Sequence, residues 1–241
     1  SHGELGRGDK MTGWRVAMIV TGLALLALFS LPARALYLDS TIFDMAADKS
    51  FISKRVFNDS HKQNIYSISA VKIDKPGSGG ERRQAIEEGE LLFAPLNFSL
   101  APDAGEFFKI FYRGPQDDKE RYYRVQFTEM PITLFPERNR GKKSEAIPAI
   151  ALETILVVRP RKMNLHYMLD EQKGVLENTG NTFFKIIVQK GCNSTDDEAT
   201  IRYILPGETY RSPELKAQNK KFIVALQKYI PVGSGCFTHA S

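Results

Sequence analysis

The side chains able to do chemistry are few and scattered along the chain. His61 and His166 stand on polar, turn-adjacent stretches with no Ser or Cys nucleophile motif beside them, so neither reads as the base of a hydrolytic triad. Glu87-Glu88 and Asp117-Asp118 are adjacent pairs. Neighbours on a strand point to opposite faces, which denies them the shared site that a general acid and base need. The stretch from Pro76 to Gly80, PGSGG, has the glycines of a phosphate-cradling loop but lacks the Lys and the helix that should follow. Cys236-Phe-Thr-His239 has metal-ligand spacing, yet one Cys pair and a terminal His are a thin set for zinc. The inventory points to no enzyme, no cofactor and no metal.

The chemistry that remains for the two cysteines, Cys192 and Cys236, is with each other. Their compartment is set by the amino-terminal segment, where Arg15 precedes the apolar run from Val16 to Leu31, which ends in Pro32-Ala33-Arg34-Ala35. A charged start, a short apolar core and small residues at the end make a secretory signal peptide, with cleavage expected after Ala35. The run is too short, and too broken by Thr21, Gly22 and Ser30, for a membrane span. Ser1 to Lys10 reads as a polar extension ahead of a natural start at Met11. In an oxidising compartment an isolated cysteine pair forms a disulfide, so Cys192–Cys236 is expected. No other long apolar run occurs, and the mature chain is expected not to insert into a membrane. The net charge of +5 comes without an aromatic-basic nucleic-acid module. Export argues against nucleic acid as well, and the positive excess suits carboxylate-bearing protein partners.

The elements that must position these residues read as strands. From Leu36 onward, short alternating segments are separated by turn signals, and no amphipathic helix stands out. Strands are expected at Leu36 to Phe43, Ser53 to Asn58, Ile65 to Ile73, Leu91 to Phe93, Phe98 to Leu100, Glu106 to Tyr112, around Tyr122, and across Ile150. That is about the strand count of an immunoglobulin-like sandwich. A second, shorter set follows at Asn164 to Tyr167, Val175 to Glu177, Thr182 to Val188, Ala199 to Leu205, Glu208 to Arg211 and Lys221 to Ile230. The boundary lies in the short basic stretch Pro160 to Met163. The chain is therefore expected to be all-β, with two immunoglobulin-like β-sandwich domains, 36–160 and 163–241, in an L-shaped arrangement. Glu145 to Lys162, EAIPAIALETILVVRPRK, is the most informative stretch: Pro148, Ile150, Leu152 and Leu156 fall on one face of a strand that follows a basic loop, Glu137 to Ser144.

EFFKIFYRGP (Glu106 to Pro115), DKERYYRVQFTEMP (Asp118 to Pro131), IALETILVVRPR (Ile150 to Arg161) and NTGNTFFKI (Asn178 to Ile186) together resemble the PapD-like periplasmic pilus chaperones. Within that family the likeness is closest to the alternative (α-clade) common-pilus accessory type, EcpE-like, in SKRV, GELLFAP, KERYYRV, TILVVRPR and ENTGNTFFK. The resemblance implies donor-strand complementation, in which strand G1 is lent to a pilin whose own sandwich lacks a strand. An added strand supplies backbone hydrogen bonds and apolar knobs together. Pro148, Ile150 and Leu152 would be the knobs. The partners implied are pilin subunits and an outer-membrane usher. The resemblance also implies a contact between the domains from a Glu at the start of F1 to an Arg at the end of G1. Glu120 fits the first place, and Arg159 or Arg161 the second, with Arg159 preferred. An acidic second-domain partner is not evident, since Gln227-Lys228-Tyr229 carries a lysine there.

The chain departs from the family at the cleft, where an Arg on the first strand and a Lys on G1 would hold the pilin's terminal carboxylate. Ile42 stands at the first place and Ile155 or Val157 at the second. Substitutes are Arg55, Lys109, Arg113 and Arg124. Arginine suits the task because its planar fork accepts a carboxylate bidentately. Arg124, beside G1, is the first choice, with Arg55 and Arg113 next. The rival reading is a secreted two-domain β-sandwich adhesin or pilus tip subunit, distinguished by whether a small periplasmic partner co-purifies.

Overall fold

The computed structural model describes residues 42–77, 79–132 and 150–236. The signal segment and its cleavage point, Leu36 to Thr41 of the expected first strand, the loop Glu137 to Ser144, Pro148 and His239 lie outside the described residues. The same holds for the side chain of Ile150.

Nine strands build the first domain: β1 (Ile42–Met45), β2 (Phe51–Phe57), β3 (Asn64–Ile73), β4 (Arg83–Gln84), β5 (Leu91–Ala94), β6 (Asn97–Leu100), β7 (Gly105–Tyr112), β8 (Arg121–Pro131) and β9 (Ile150–Val158). One sheet runs β1-β9-β8-β3-β4 with β6 also on β3, and the other runs β2-β7-β5. Alternation drives the packing. Ile68 of β3, Phe108 and Ile110 of β7, Tyr123 and Val125 of β8, and Leu156 and Val158 of β9 point inward and close one core. A polar corner holds the β2–β3 turn. The side-chain amide of buried Asn58 donates to the carbonyls of Lys62 and Leu100, and its oxygen accepts from the Ser60 N–H.

The second set comprises β10 (Tyr167–Asp170), β11 (Val175–Asn178), β12 (Phe184–Val188), β13 (Thr200–Ile204), β14 (Thr209–Arg211), β15 (Lys221–Ala225) and β16 (Lys228–Val232). Its sheets run β10-β11-β14 and β13-β12-β15-β16, around a core that includes Leu176, Phe184, Ile186, Ile223 and Leu215. Leu215 comes from a short 3-10 turn, Pro213–Lys216. The expected disulfide is present: Cys192, in the turn after β12, is bonded to Cys236, just past β16.

Two expected strands need correction. Lys221 to Ile230 is a hairpin and not one strand, because Leu226 and Gln227 take φ values of 55° and 62° and let Ala225 pair with Lys228. A two-residue turn of that geometry normally uses Asn-Gly, so Leu-Gln gives no sequence signal. The strand expected at Asn164 to Tyr167 begins only at Tyr167. The preceding residues are held by the Asn178–Asn181 turn instead, with the Asn164 N–H donating to Asn181 Oδ1. In the first domain, β4 emerges where only loop was expected, paired with Lys72 and Ile73.

Candidate functional site

β9 has two different halves. From Ile155 to Val158 it is flanked on both sides, by β8 and by the parallel strand β1, whose register starts at Ile42↔Ile155. From Ile150 to Thr154 its one strand partner among the described residues is β8. The side chains change at the same point. Leu156 is fully buried in the core, whereas Leu152, two strand repeats earlier on the same face, is 64 % exposed. Its pairing partner on β8, Phe127, still packs against the core. An exposed apolar side chain is what a strand offered to another sheet requires.

Just before β8 and just after β9, Glu120 and Arg159 converge on the same two residues of the second domain. Glu120 accepts from the Thr182 hydroxyl through Oε2, from the Phe183 N–H at 3.0 and 3.1 Å, and from the Tyr122 hydroxyl at 2.7 Å. Arg159 donates through Nη1 to Thr182 Oγ1 at 2.6 Å and to the Phe183 carbonyl at 2.9 Å, and its guanidinium lies 4.2 Å from the centre of the Phe183 ring. The ion pair of Arg159 is with Asp44 of β1, Nε to Oδ2 at 2.9 Å. Glu120 and Arg159 are thus joined through Thr182 rather than by a direct salt bridge, and the missing acid is Asp44, from the first domain. Burial pushes the Glu120 carboxyl above its ordinary value, against the Thr182, Tyr122 and Phe183 hydrogen bonds and the Arg159 charge. Arg161 turns the other way, onto the carbonyls of Met45 and Lys49, so the residue at the junction is Arg159. Asn181 adds a link, donating to the Asp118 and Lys162 carbonyls at 3.0 and 2.9 Å.

A cavity of about 660 Å3 adjoins this junction, lined among others by Ile42, Asp44, Arg159, Phe183, Lys185 and Tyr203. Ile42 and Ile155 are register partners, so the places expected to be cationic meet as two apolar side chains. None of the three proposed anchors lines the cavity. Arg124, only 7 % exposed, is held between Glu81 at 2.8 Å and Glu153 of β9 at 2.9 Å. Arg55 lies on β2, in the opposite sheet, between the rings of Phe57 and Phe107. Arg113 is exposed just after β7. Lys185 of β12 lines the cavity with Lys49 and Arg159 and was missed by sequence reasoning, because a lone lysine in a strand gives no signal. It has no ion-pair partner among the described residues.

The residues weighed for catalysis stay apart. His61 is exposed, His166 Nδ1 meets the Thr179 hydroxyl, and Asp117 is gripped by both terminal nitrogens of Arg121, at 2.7 and 2.8 Å. No cluster of three metal-binding side chains occurs among the described residues, and no helix there is long and apolar enough to cross a membrane.

Comparison with known proteins adds relatives over nearly the whole chain. The family model "EcpB C-terminal domain" matches residues 166–232. "Probable fimbrial chaperone EcpE" of Escherichia coli O127:H6 (strain E2348/69 / EPEC) is 37 % identical over 204 residues, covering 84 % of this chain and 86 % of the relative. "Probable fimbrial chaperone EcpB" of Klebsiella pneumoniae (strain 342) is 30 % identical over 216 residues, covering 87 % and 96 %. Among solved structures, the class 5 fimbriae chaperone CfaA overlays with a TM-score of 0.47 at 19 % identity over 83 % of this chain and 92 % of its own, too loosely to bear on fold or function. With 37 % identity over 84 % of this chain and 86 % of the EcpE relative, the chain belongs to the EcpE/EcpB family of fimbrial chaperones.

Proposed function

We propose that this chain is a periplasmic chaperone of a chaperone-usher pilus pathway, capping pilin subunits by lending them β9 and handing them to an outer-membrane usher. The observation that carries the reading is the exposed Leu152 of β9, an apolar side chain on the stretch from Ile150 to Thr154 that pairs with β8 alone among the described residues. A pilin lacking one strand has an unpaired edge and an open core, and this segment supplies both complements. Ile150 and Leu152, with Pro148 ahead of them, are the side chains offered. Proline at the start of the strand costs no ladder bond if its ring nitrogen faces away from the recipient. The work is binding and release, with no bond made or broken. The first domain extends through Pro160 and the second starts at Met163, with Glu120, Arg159 and Thr182 fixing one against the other.

A subunit carboxylate entering the cavity would meet Lys49 and Lys185 beside Arg159, and we weigh Lys185 there against Arg124, which lies outside the lining. Arg124 adjoins β9 but must give up Glu81 or Glu153 to accept it, whereas Lys185 needs no exchange. Arg55 and Arg113 do not line the cavity. The test is co-expression with candidate pilins, then co-purification and mass spectrometry of the complex. A small subunit at one-to-one stoichiometry is expected with the wild-type chain and not with Leu152→Asp. Equal recovery with both would reject the strand-lending role.

A further inference from the structure

The sheet away from β9 shows a face that the capping role leaves unused. On β2 and β7 the outward positions are Phe51, Ser53, Arg55 and Phe57 on one strand and Phe107, Lys109 and Phe111 on the other, paired as Arg55↔Phe107, Ser53↔Lys109 and Phe51↔Phe111. Leu92 of β5 continues the row beside Phe111. Phe107 is 61 % exposed and Phe57 52 %, and Phe51 and Leu92 are exposed as well. Burying apolar side chains is the rule even though much of any surface is apolar, so a contiguous aromatic row on one sheet face calls for a cover.

The two cations in the row are held in place. The Arg55 guanidinium lies 5.8 Å from the ring centres of both Phe57 and Phe107, and Lys109 Nζ lies 5.2 Å from the Phe51 ring. Phe51 and Phe111 pack at 5.6 Å between centroids. Gly105 makes the Arg55 position available, because a Cβ there would come within 2.6 Å of its Nε and 2.8 Å of Nη2. Aromatic rings flanking a cation keep it oriented without neutralising it. None of these outward positions carries a carboxylate.

We infer that the outer face of the β2-β7-β5 sheet is a docking surface for an acidic, apolar-bearing segment of a partner protein other than the strand recipient of β9. Charge complementarity selects that occupant. A second copy would set Arg55 and Lys109 against the same cations, and the basic loop Glu137 to Ser144 of this chain is repelled by them. An anionic bilayer is the other negative surface, but recognition of lipid headgroups draws on clusters of about four to eight basic residues. This face has Arg55 and Lys109, with aromatic anchors and an arginine of the kind that dominate protein–protein contacts.

The test uses the purified full chain and a soluble Glu-rich peptide carrying two Leu residues, with a Lys-rich peptide of the same length and Leu spacing as control. Binding is followed by calorimetry and by amide NMR shifts. The acidic peptide is expected to shift β2 and β7 resonances, to weaken at high salt, and to lose at least about tenfold in affinity in Arg55→Glu and in Phe107→Ser. Gly105→Ala, which displaces the guanidinium without removing it, should lose affinity too, while Leu152→Asp binds the peptide as wild type does. The Lys-rich peptide should not bind. Circular dichroism of each variant separates lost docking from lost fold, and Phe57→Ser serves as a second aromatic variant should Phe107→Ser not fold. Shifts confined to other surfaces, or unchanged affinity in the folded Arg55 and aromatic variants, would overturn the inference. So would binding to phosphatidylglycerol vesicles, or self-association by light scattering, that these variants abolish while peptide binding is absent.

Discussion

Replacing Leu152 by Asp tests the strand-lending role where the chaperone's own stability is least involved. The side chain is 64 % exposed in the free chain, so the exchange removes little from the first core, and the thermal midpoint should stay near wild type. In a subunit complex the same side chain is buried. Full burial of a leucine is worth about 1.5–3 kcal/mol, and the exposed share of that comes to roughly 1–2 kcal/mol. Stranding a polar group there without a partner adds at least about 2 kcal/mol, and more for a carboxylate that stays ionised. The sum, at least about 3 kcal/mol, predicts an affinity loss of more than a hundredfold. The assay is a pull-down of the co-purifying subunit run beside circular dichroism. Leu156→Asp is the contrast, since Leu156 is fully buried and the variant should fail to fold. If Leu152→Asp binds the subunit undiminished, β9 is not the lent strand; if it unfolds, Leu152 belongs to the chaperone's own core.

Other outcomes follow from the junction, the cavity and the disulfide. Thr182→Val leaves Glu120 and Arg159 each short of a buried partner and should cost about 1–3 kcal/mol, read as a lower midpoint in chemical denaturation. Glu120 has a folded-state value raised above its ordinary 4.5, so the folded chain holds a proton that the unfolded chain releases between 4.5 and that raised value. Its contribution to stability is therefore greatest below 4.5 and declines as pH rises through that window. Measured at about pH 4 and about pH 7, the midpoint of wild type relative to Glu120→Gln should fall with rising pH; a pH-independent difference would refute the buried, shifted carboxylate. Lys185→Ala and Arg124→Ala separate the two candidate anchors. Loss of more than about tenfold in subunit binding for only one of them identifies it, and no loss for either means that neither is the anchor. Removing both cysteines opens a loop of 44 residues' separation and should destabilise by about 4 kcal/mol, checked by denaturation, while titration of the unreduced wild-type chain should find no free thiol.

The pairing of β8 with β9 was legible through the resemblance, which makes them the neighbouring strands F1 and G1, and the disulfide because an exported chain with one cysteine pair leaves little choice. Glu120 and Arg159 were legible through the resemblance, which implies a Glu at the start of F1 and an Arg at the end of G1. What they hold was not: Thr182 reads as one more β-branched residue entering a strand, and the rest of the contact is the backbone of Phe183, which has no sequence signature. Asp44 was hidden in an apolar first strand, and Lys185 as a lone lysine in its own. Arg124 is a different case. Its position beside β9 was correctly read, but its two partners come from Glu81, forty-three residues upstream in a loop, and from Glu153, and only the fold brings those together.

The junction recognises main chain. Glu120 takes the N–H of Phe183 and Arg159 takes its C=O, so between them they hold the main chain of one residue from both ends, and a hydroxyl at position 182 is the only side-chain function that the polar clamp demands. Such a joint is modular. A second domain from a relative would be accepted in exchange if it presents Thr or Ser followed by a residue in the same extended conformation, together with the Asn181 amide and a ring to lie under Arg159.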